Sequence, residues 1–189
     1  MTEPTVSSVV ASLIDVLAPC GIPYAFGGAI ALAAWSEPRA TADVDVVLFL
    51  DPTRIDEAIT LVRAAGVTLT DEGARAQAST RGMFVGMAGS VRVDVFVPSI
   101  PFYEIAEAHC VATRIGGRDT FVHSAEVLAV FKLLFFRPKD LLDVERMLQI
   151  RGAAFDRAFV RDALCEMLPY DPRIEKWDAI CARTPIAPG

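Results

Sequence analysis

Asp43 and Asp45 stand at the start of a run, Val44 to Leu50, that is rich in β-branched residues and reads as a strand. Side chains alternate faces along a strand, so both carboxylates project to one side while Val44, Val46 and Leu48 project to the other. The later segment VRVDVFV repeats the design: Arg92, Asp94 and Phe96 share one face, and Val91, Val93, Val95 and Val97 the opposite one. If the two strands are neighbours, three carboxylates converge. Like charges so placed repel one another unless a cation lies among them. Hard divalent ions take oxygen ligands, and Mg²⁺ is commonly held by one or two carboxylates together with water and substrate phosphates. The spacing therefore points to a nucleoside triphosphate site. A lone D-x-D is more often a strand end or a capped turn, and the reading rests on the combination with what surrounds it.

Upstream, Gly27-Gly28 lies between a short strand-like run, Tyr24 to Phe26, and a helical pattern over 29–36. A glycine pair there allows a phosphate to approach backbone N–H groups, and the N-terminus of the following helix favours anions. The pair is neither G-x-G-x-x-G nor a Walker A sequence, so the dinucleotide-binding and P-loop readings fail. Arg39 and Thr41 precede the aspartates and are candidates for orienting the acidic loop or touching phosphate; the alternative is an ordinary turn. His109 and His123 are expected to be structural, and Trp177 and Tyr170 to pack the terminal helices.

The elements that must position these groups can be read from periodicity and punctuation. Apolar positions Val9, Leu13, Val16 and Leu17 predict a helix over 5–19, closed by Gly21 and Pro23. Pro52-Thr53 opens a helix that runs through Ala65 to Gly66, and 67–70 reads as a short strand. Segment 71–81 is polar, with a helical fragment as the candidate. Residues 82–88 and 90–97 predict an antiparallel pair joined by a tight turn, and 111–115 with 120–122, around Gly116-Gly117, a second hairpin. Beyond Ser124 the signal is helical: 124–136, 139–150, 157–168 and 173–181. The expected fold class is α/β (α+β), a mixed sheet flanked by helices. The expected division is a core over 1–123 and a helical region over 124–189 that completes the site.

The 189-residue chain is 53% hydrophobic and 22% charged, which suits one well-buried core and excludes a disordered chain. Its apolar stretches, such as 24–35 and 127–136, are shorter than a bilayer span requires. The N-terminus shows no basic region before an apolar block, so a cytoplasmic location without a membrane segment is expected. The four cysteines lack C-x-x-C spacing, which argues against structural zinc and for reduced, mostly buried thiols. A net charge of −6 argues against a strongly basic nucleic-acid surface, although Arg114, Arg118, Lys132, Arg137, Lys139 and Arg146 concentrate positive charge in the second half.

The pattern FGGAIALAAW…PRATADVDVVL followed by VRVDVFV resembles the nucleotidyltransferase superfamily, in which a GG or GS motif precedes a D-x-D or D-x-E pair and a third acidic residue lies on a later strand. The stretch EVLAVFKLLFFRPKDLLDVERML is similar to the Lys, Arg and Lys/Arg-Asp-x-x-Asp motif of minimal nucleotidyltransferases related to the AbiEii toxins of bacterial toxin–antitoxin systems. The resemblance covers roughly residues 20–150, its parts in the expected order. It implies that Gly27 and Gly28 hold the triphosphate and that Asp43 and Asp45 bind metal. Asp94 would be the third carboxylate and candidate base, and Lys132 would contact nucleotide phosphates. Asp140, with Asp143, would complete or brace the site. The implied reaction is a two-metal, Mg²⁺-dependent transfer of NMP from an NTP to an acceptor hydroxyl, with pyrophosphate leaving. The implied acceptor is tRNA, a protein or a small molecule, and a cognate antitoxin is an implied partner. A catalytically decayed binding module and an antibiotic nucleotidyltransferase are the competing readings. Ala29 departs from the serine that many members carry near the glycine motif, which removes one phosphate hydrogen bond. Read without the resemblance, Lys132 is a lysine that snorkels from an apolar helix, and Asp140 is an acidic residue favoured by the dipole in a helix's first turn.

Overall fold

The structure, a computed structural model, describes residues 3–185. In chain order its elements are α1 (Val6–Leu17), β1 (Tyr24–Phe26), α2 (Gly28–Trp35), β2 (Asp43–Leu48), α3 (Ile55–Ala64), α4 (Asp71–Arg81), β3 (Met83–Ala88), β4 (Val91–Phe96), α5 (Phe102–Ala108), β5 (Cys110–Ile115), β6 (Arg118–His123), α6 (Ala125–Phe135), α7 (Pro138–Arg151), α8 (Arg157–Met167) and α9 (Pro172–Arg183). The chain forms two compact units. One holds the residues up to Ile30 together with Ala40–Val122, and the other holds Ala31–Arg39 together with the residues from His123 onward. Among the described residues no helix is long and apolar enough to cross a membrane.

The first unit is built on a six-stranded sheet of order β3-β4-β2-β1-β6-β5. It is mixed: β2 pairs antiparallel with β1 and parallel with β4, while β3 and β4 form an antiparallel hairpin. Val44, Val46, Leu48, Val93 and Val95 are completely buried, which accounts for the β-branched runs. Helix α1 packs against β2 and α3. Its start is a capping box, in which Ser8 N donates to Thr5 Oγ1 at 3.2 Å and Thr5 N to Ser8 Oγ at 2.9 Å.

Several expectations need correcting. Segment 71–81 is an entire helix, packed on β3 and tied to its surroundings by Arg75–Asp56 and Arg63–Asp71 pairs. Segment 67–70 contributes only an isolated bridge between Thr68 and Met87. The helix expected from Pro52 opens with a single 3₁₀ turn, Pro52–Arg54. Helix α5 was not anticipated at all. All four cysteines are free and half-buried rather than mostly buried.

The second unit is helical from Ala125 on. Trp177 is buried beside Phe155, their ring centroids 6.2 Å apart, but Tyr170 stands fully in solvent and packs nothing. Arg157 closes the end of α9 by donating from Nη1 to Cys181 O at 3.0 Å and from Nη2 to Thr184 O at 2.6 Å. In the same unit Trp35 Nε1 donates to His123 O at 2.7 Å, and the Arg151 guanidinium lies 5.0 Å from the Trp35 ring.

Candidate functional site

The parallel pairing of β2 with β4 sets Asp45 opposite Asp94 and Asp43 opposite Arg92. Residues paired directly across a ladder point to the same face, so all four side chains share one side of the sheet. The burial alternation agrees: Asp43, Asp45 and Asp94 are half-buried and Arg92 is exposed, while Val44, Val46, Val93 and Val95 are buried. Three carboxylates thus lie on one face of the first unit's sheet.

The glycine pair meets the same carboxylates. Gly27 N donates to Asp45 O at 2.9 Å, fixing the end of β1 to β2. Gly28 begins α2 at φ +51°, and a β-carbon there would lie 1.7 Å from Asp45 Oδ2. Glycine is needed at position 28 twice over, for its backbone and for the space taken by the Asp45 carboxylate. Thr41 braces the approach to β2, donating from Oγ1 to Asp43 O at 3.1 Å and accepting from Asp43 N at 3.2 Å.

Arg92 is the member of this face whose role the alternation alone left unassigned. Its Nε donates to Asp94 Oδ1 at 2.7 Å. The hydrogen bond and charge of Asp94, with smaller contributions from Asp43 and Asp45, hold the guanidinium above its ordinary pKa. Among the described residues no group of three or more His, Cys, Asp or Glu side chains is assembled to hold a metal. The donor chemistry nevertheless fits a hard cation: three carboxylates on one face, with the Arg92 guanidinium now supplying part of the positive charge their proximity demands. Asp43, Asp45 and Asp94 are the oxygen donors on this face that could hold a hard cation.

The remaining predicted residues form a cluster of their own in the second unit. Lys132 on α6 is buried and donates from Nζ to Asp143 Oδ2 at 2.7 Å, with Asp140 Oδ1 at 3.7 Å. Asp143 also accepts from Arg39 Nη2 at 3.2 Å, and Asp140 from Arg137 Nε at 2.6 Å. Burial pushes the Asp143 carboxyl up, but Lys132 and then Arg39 outweigh it and leave the group below its ordinary pKa. Asp140 also accepts from Arg137 N at 3.3 Å and so caps the first turn of α7. Lys132 does not snorkel to solvent; it lies between two buried aspartates on α7. Arg137 is a partner that sequence reasoning missed, although its place three residues before Asp140 at a helix start was the available signal.

The structure thus brings together Gly27, Gly28, Thr41, Asp43, Asp45 and Asp94 in the first unit, and Arg39, Lys132, Asp140 and Asp143 in the second. Of the two histidines, His123 is fully buried beside Phe131, and burial lowers its pKa to about 4.

No family model and no curated protein matches the sequence. Solved structures are similar. The antibiotic-resistance factor ANT(2'')-Ia, in its solution structure, superposes with a TM-score of 0.63 at 17% identity, covering 85% of this chain and 92% of that one. The fold is nucleotidyltransferase-like. An antigenic nucleotidyltransferase-like protein from Paracoccidioides brasiliensis shares this fold with a TM-score of 0.55 and 19% identity, over 94% of this chain and 95% of its own. The lincosamide antibiotic adenylyltransferase LnuA, lincomycin-bound, is a further nucleotidyltransferase-like match, with a TM-score of 0.51 and 13% identity over 79% of this chain and 99% of its own.

Proposed function

We propose that the chain is a Mg²⁺-dependent nucleotidyltransferase that moves NMP from an NTP to an acceptor hydroxyl and releases pyrophosphate. The observation that carries this reading is the Asp45–Asp94 register, which sets two carboxylates side by side on parallel strands with Asp43 next along the same face. Gly28 lies against Asp45 at the start of α2, where a side chain would leave no room for the carboxylate.

Each residue then has a task. Asp43 and Asp45 hold the ion, and Asp94 either joins them or accepts the proton of the acceptor hydroxyl. Gly28 opens α2, whose N-terminus would face the triphosphate, while Gly27 ties that turn to β2 through its N–H to Asp45 O. Arg39 and Thr41 orient the segment that leads into β2. Within the second unit, Asp140 and Asp143 hold the Lys132 ammonium in place. Bound Mg²⁺ would neutralise triphosphate charge and make the acceptor hydroxyl a better nucleophile.

Two acceptor classes have specific support. The Lys132 and Asp140-x-x-Asp143 motif favours the AbiEii-like toxin branch, with tRNA as acceptor and a cognate antitoxin as partner. The likeness in fold to ANT(2'')-Ia and LnuA favours an antibiotic acceptor. Incubation with each NTP labelled at the α-phosphate and Mg²⁺, in the presence of tRNA, lincomycin or an aminoglycoside, separates them. Label on tRNA selects the toxin reading, and label on a drug the resistance reading. NTP binding without label transfer to any acceptor identifies a decayed module and contradicts the enzyme.

A further inference from the structure

Helix α4 and the outer hairpin β3–β4 flank an open surface cavity of about 430 Å³, lined by Ala76, Gln77, Thr80, Arg81, Val85 and Arg92. That volume lies within the range of small-ligand sites, roughly 300–1,000 Å³. Its charged lining residues are both arginines. Arg81 makes no ion pair among the described residues. Arg92 is the guanidinium that donates to Asp94. One arginine therefore faces two ways, into a cationic cavity and onto the third carboxylate of the sheet face.

Guanidinium binds phosphate through the same paired N–H geometry it uses for carboxylate. A phosphate in the cavity would gain the unneutralised Arg81 and compete with Asp94 for Arg92. We propose that this cavity binds a phosphate group of the acceptor, and that its binding draws Arg92 from Asp94 and frees that carboxylate for the cation. The proposal rests on the nucleotidyltransferase reading and narrows its acceptor class to phosphate-bearing molecules. Coupling of acceptor to metal follows: the three-carboxylate set is completed when an acceptor is present, and the site is held in a paired, less reactive form when it is not. A polycationic drug acceptor has no complement in this cavity.

The test is Mn²⁺ binding to the full chain, followed by electron paramagnetic resonance at constant free Mn²⁺, alone, with methyl phosphate and with a short single-stranded oligoribonucleotide. In the wild type, phosphate should tighten Mn²⁺ binding roughly fivefold or more. Arg92→Gln should bind Mn²⁺ more tightly than wild type without phosphate and lose the response. Arg81→Gln should keep the wild-type affinity without phosphate and need a higher phosphate concentration to respond, which excludes phosphate acting directly on the bound ion. A response to methyl phosphate supports a phosphomonoester acceptor, and a response to the oligoribonucleotide alone supports a nucleic acid. Mn²⁺ binding that is weakened by Asp45→Asn but indifferent to both phosphates and to Arg92→Gln overturns the proposal and leaves the nucleotidyltransferase reading standing. Mn²⁺ binding that is absent, or unchanged by Asp45→Asn, overturns both.

Discussion

Gly28 and Asp45 compete for one volume: a β-carbon at position 28 would lie 1.7 Å from Oδ2 of Asp45. The strand that carries the carboxylate and the helix start that would receive a triphosphate are therefore packed with no spare atom between them. Gly28→Ala must displace one or the other. Gly21 offers a matched control, since it too has a positive φ, +76°, but a β-carbon there meets nothing within 4 Å. Gly21→Ala is expected to cost only backbone strain, about 1–2 kcal/mol. Gly28→Ala should cost more than Gly21→Ala by urea unfolding and should also abolish Mg²⁺-dependent nucleotide binding, which Gly21→Ala leaves intact.

Lys132 and Asp143 predict a second, independent result. Removing Lys132 leaves the buried Asp143 with only the half-buried Arg39 as partner among the described residues, a loss bounded by the roughly 3 kcal/mol of breaking a buried pair. Lys132→Met should therefore lower unfolding stability by up to about 3 kcal/mol, whereas Lys132→Met combined with Asp143→Leu should cost less than Lys132→Met alone. Because the Asp143 pKa is depressed in the fold, its contribution is present above the ordinary carboxylate value and is lost as pH falls through the lower folded value. Urea midpoints of wild type and double variant should accordingly converge at the acid end of a pH series.

His123 sets a different pH window. Its pKa is lowered from 6.5 to about 4 by burial, so the unfolded chain binds a proton that the folded chain refuses between those values. Stability should thus be fully present above pH 6.5 and fall as pH drops toward 4, by up to about 3 kcal/mol. His123→Leu, which removes the titrating ring, should flatten that part of the stability profile. A slope unchanged by the substitution would place the dependence elsewhere.

The carboxylate face was legible because strand alternation is a strong constraint: once Asp43, Asp45 and Asp94 sit in valine-rich strands, their common direction follows. That β2 and β4 are parallel neighbours was not legible, since pairing between strands more than forty residues apart leaves no local mark. Helix α4 carries a single buried residue, Ala74, so it has no apolar stripe to read, and its contact with β3 decides its form. Helix α5 buries Phe102, Tyr103 and Ala106 in only seven residues, too few to establish a period. Tyr170 misled because an aromatic between helices suggests packing, whereas it occupies an exposed left-handed turn position at φ +65°. Lys132, Asp140 and Asp143 were identifiable as a group, and the spacing of Arg137 from Asp140 was readable, but nothing local marks Arg39, 104 residues before Asp143, as its partner.

The central claim is that the paired carboxylates of β2 and β4 bind a Mg²⁺–nucleotide complex. Calorimetric titration of each NTP into the wild type and into Asp45→Asn, with and without Mg²⁺, tests it most directly. The account predicts binding that requires Mg²⁺ and weakens at least tenfold in Asp45→Asn, a loss of about 1.4 kcal/mol or more. Nucleotide binding that is indifferent to both Mg²⁺ and the substitution, or no binding by the wild type under any condition, would contradict it.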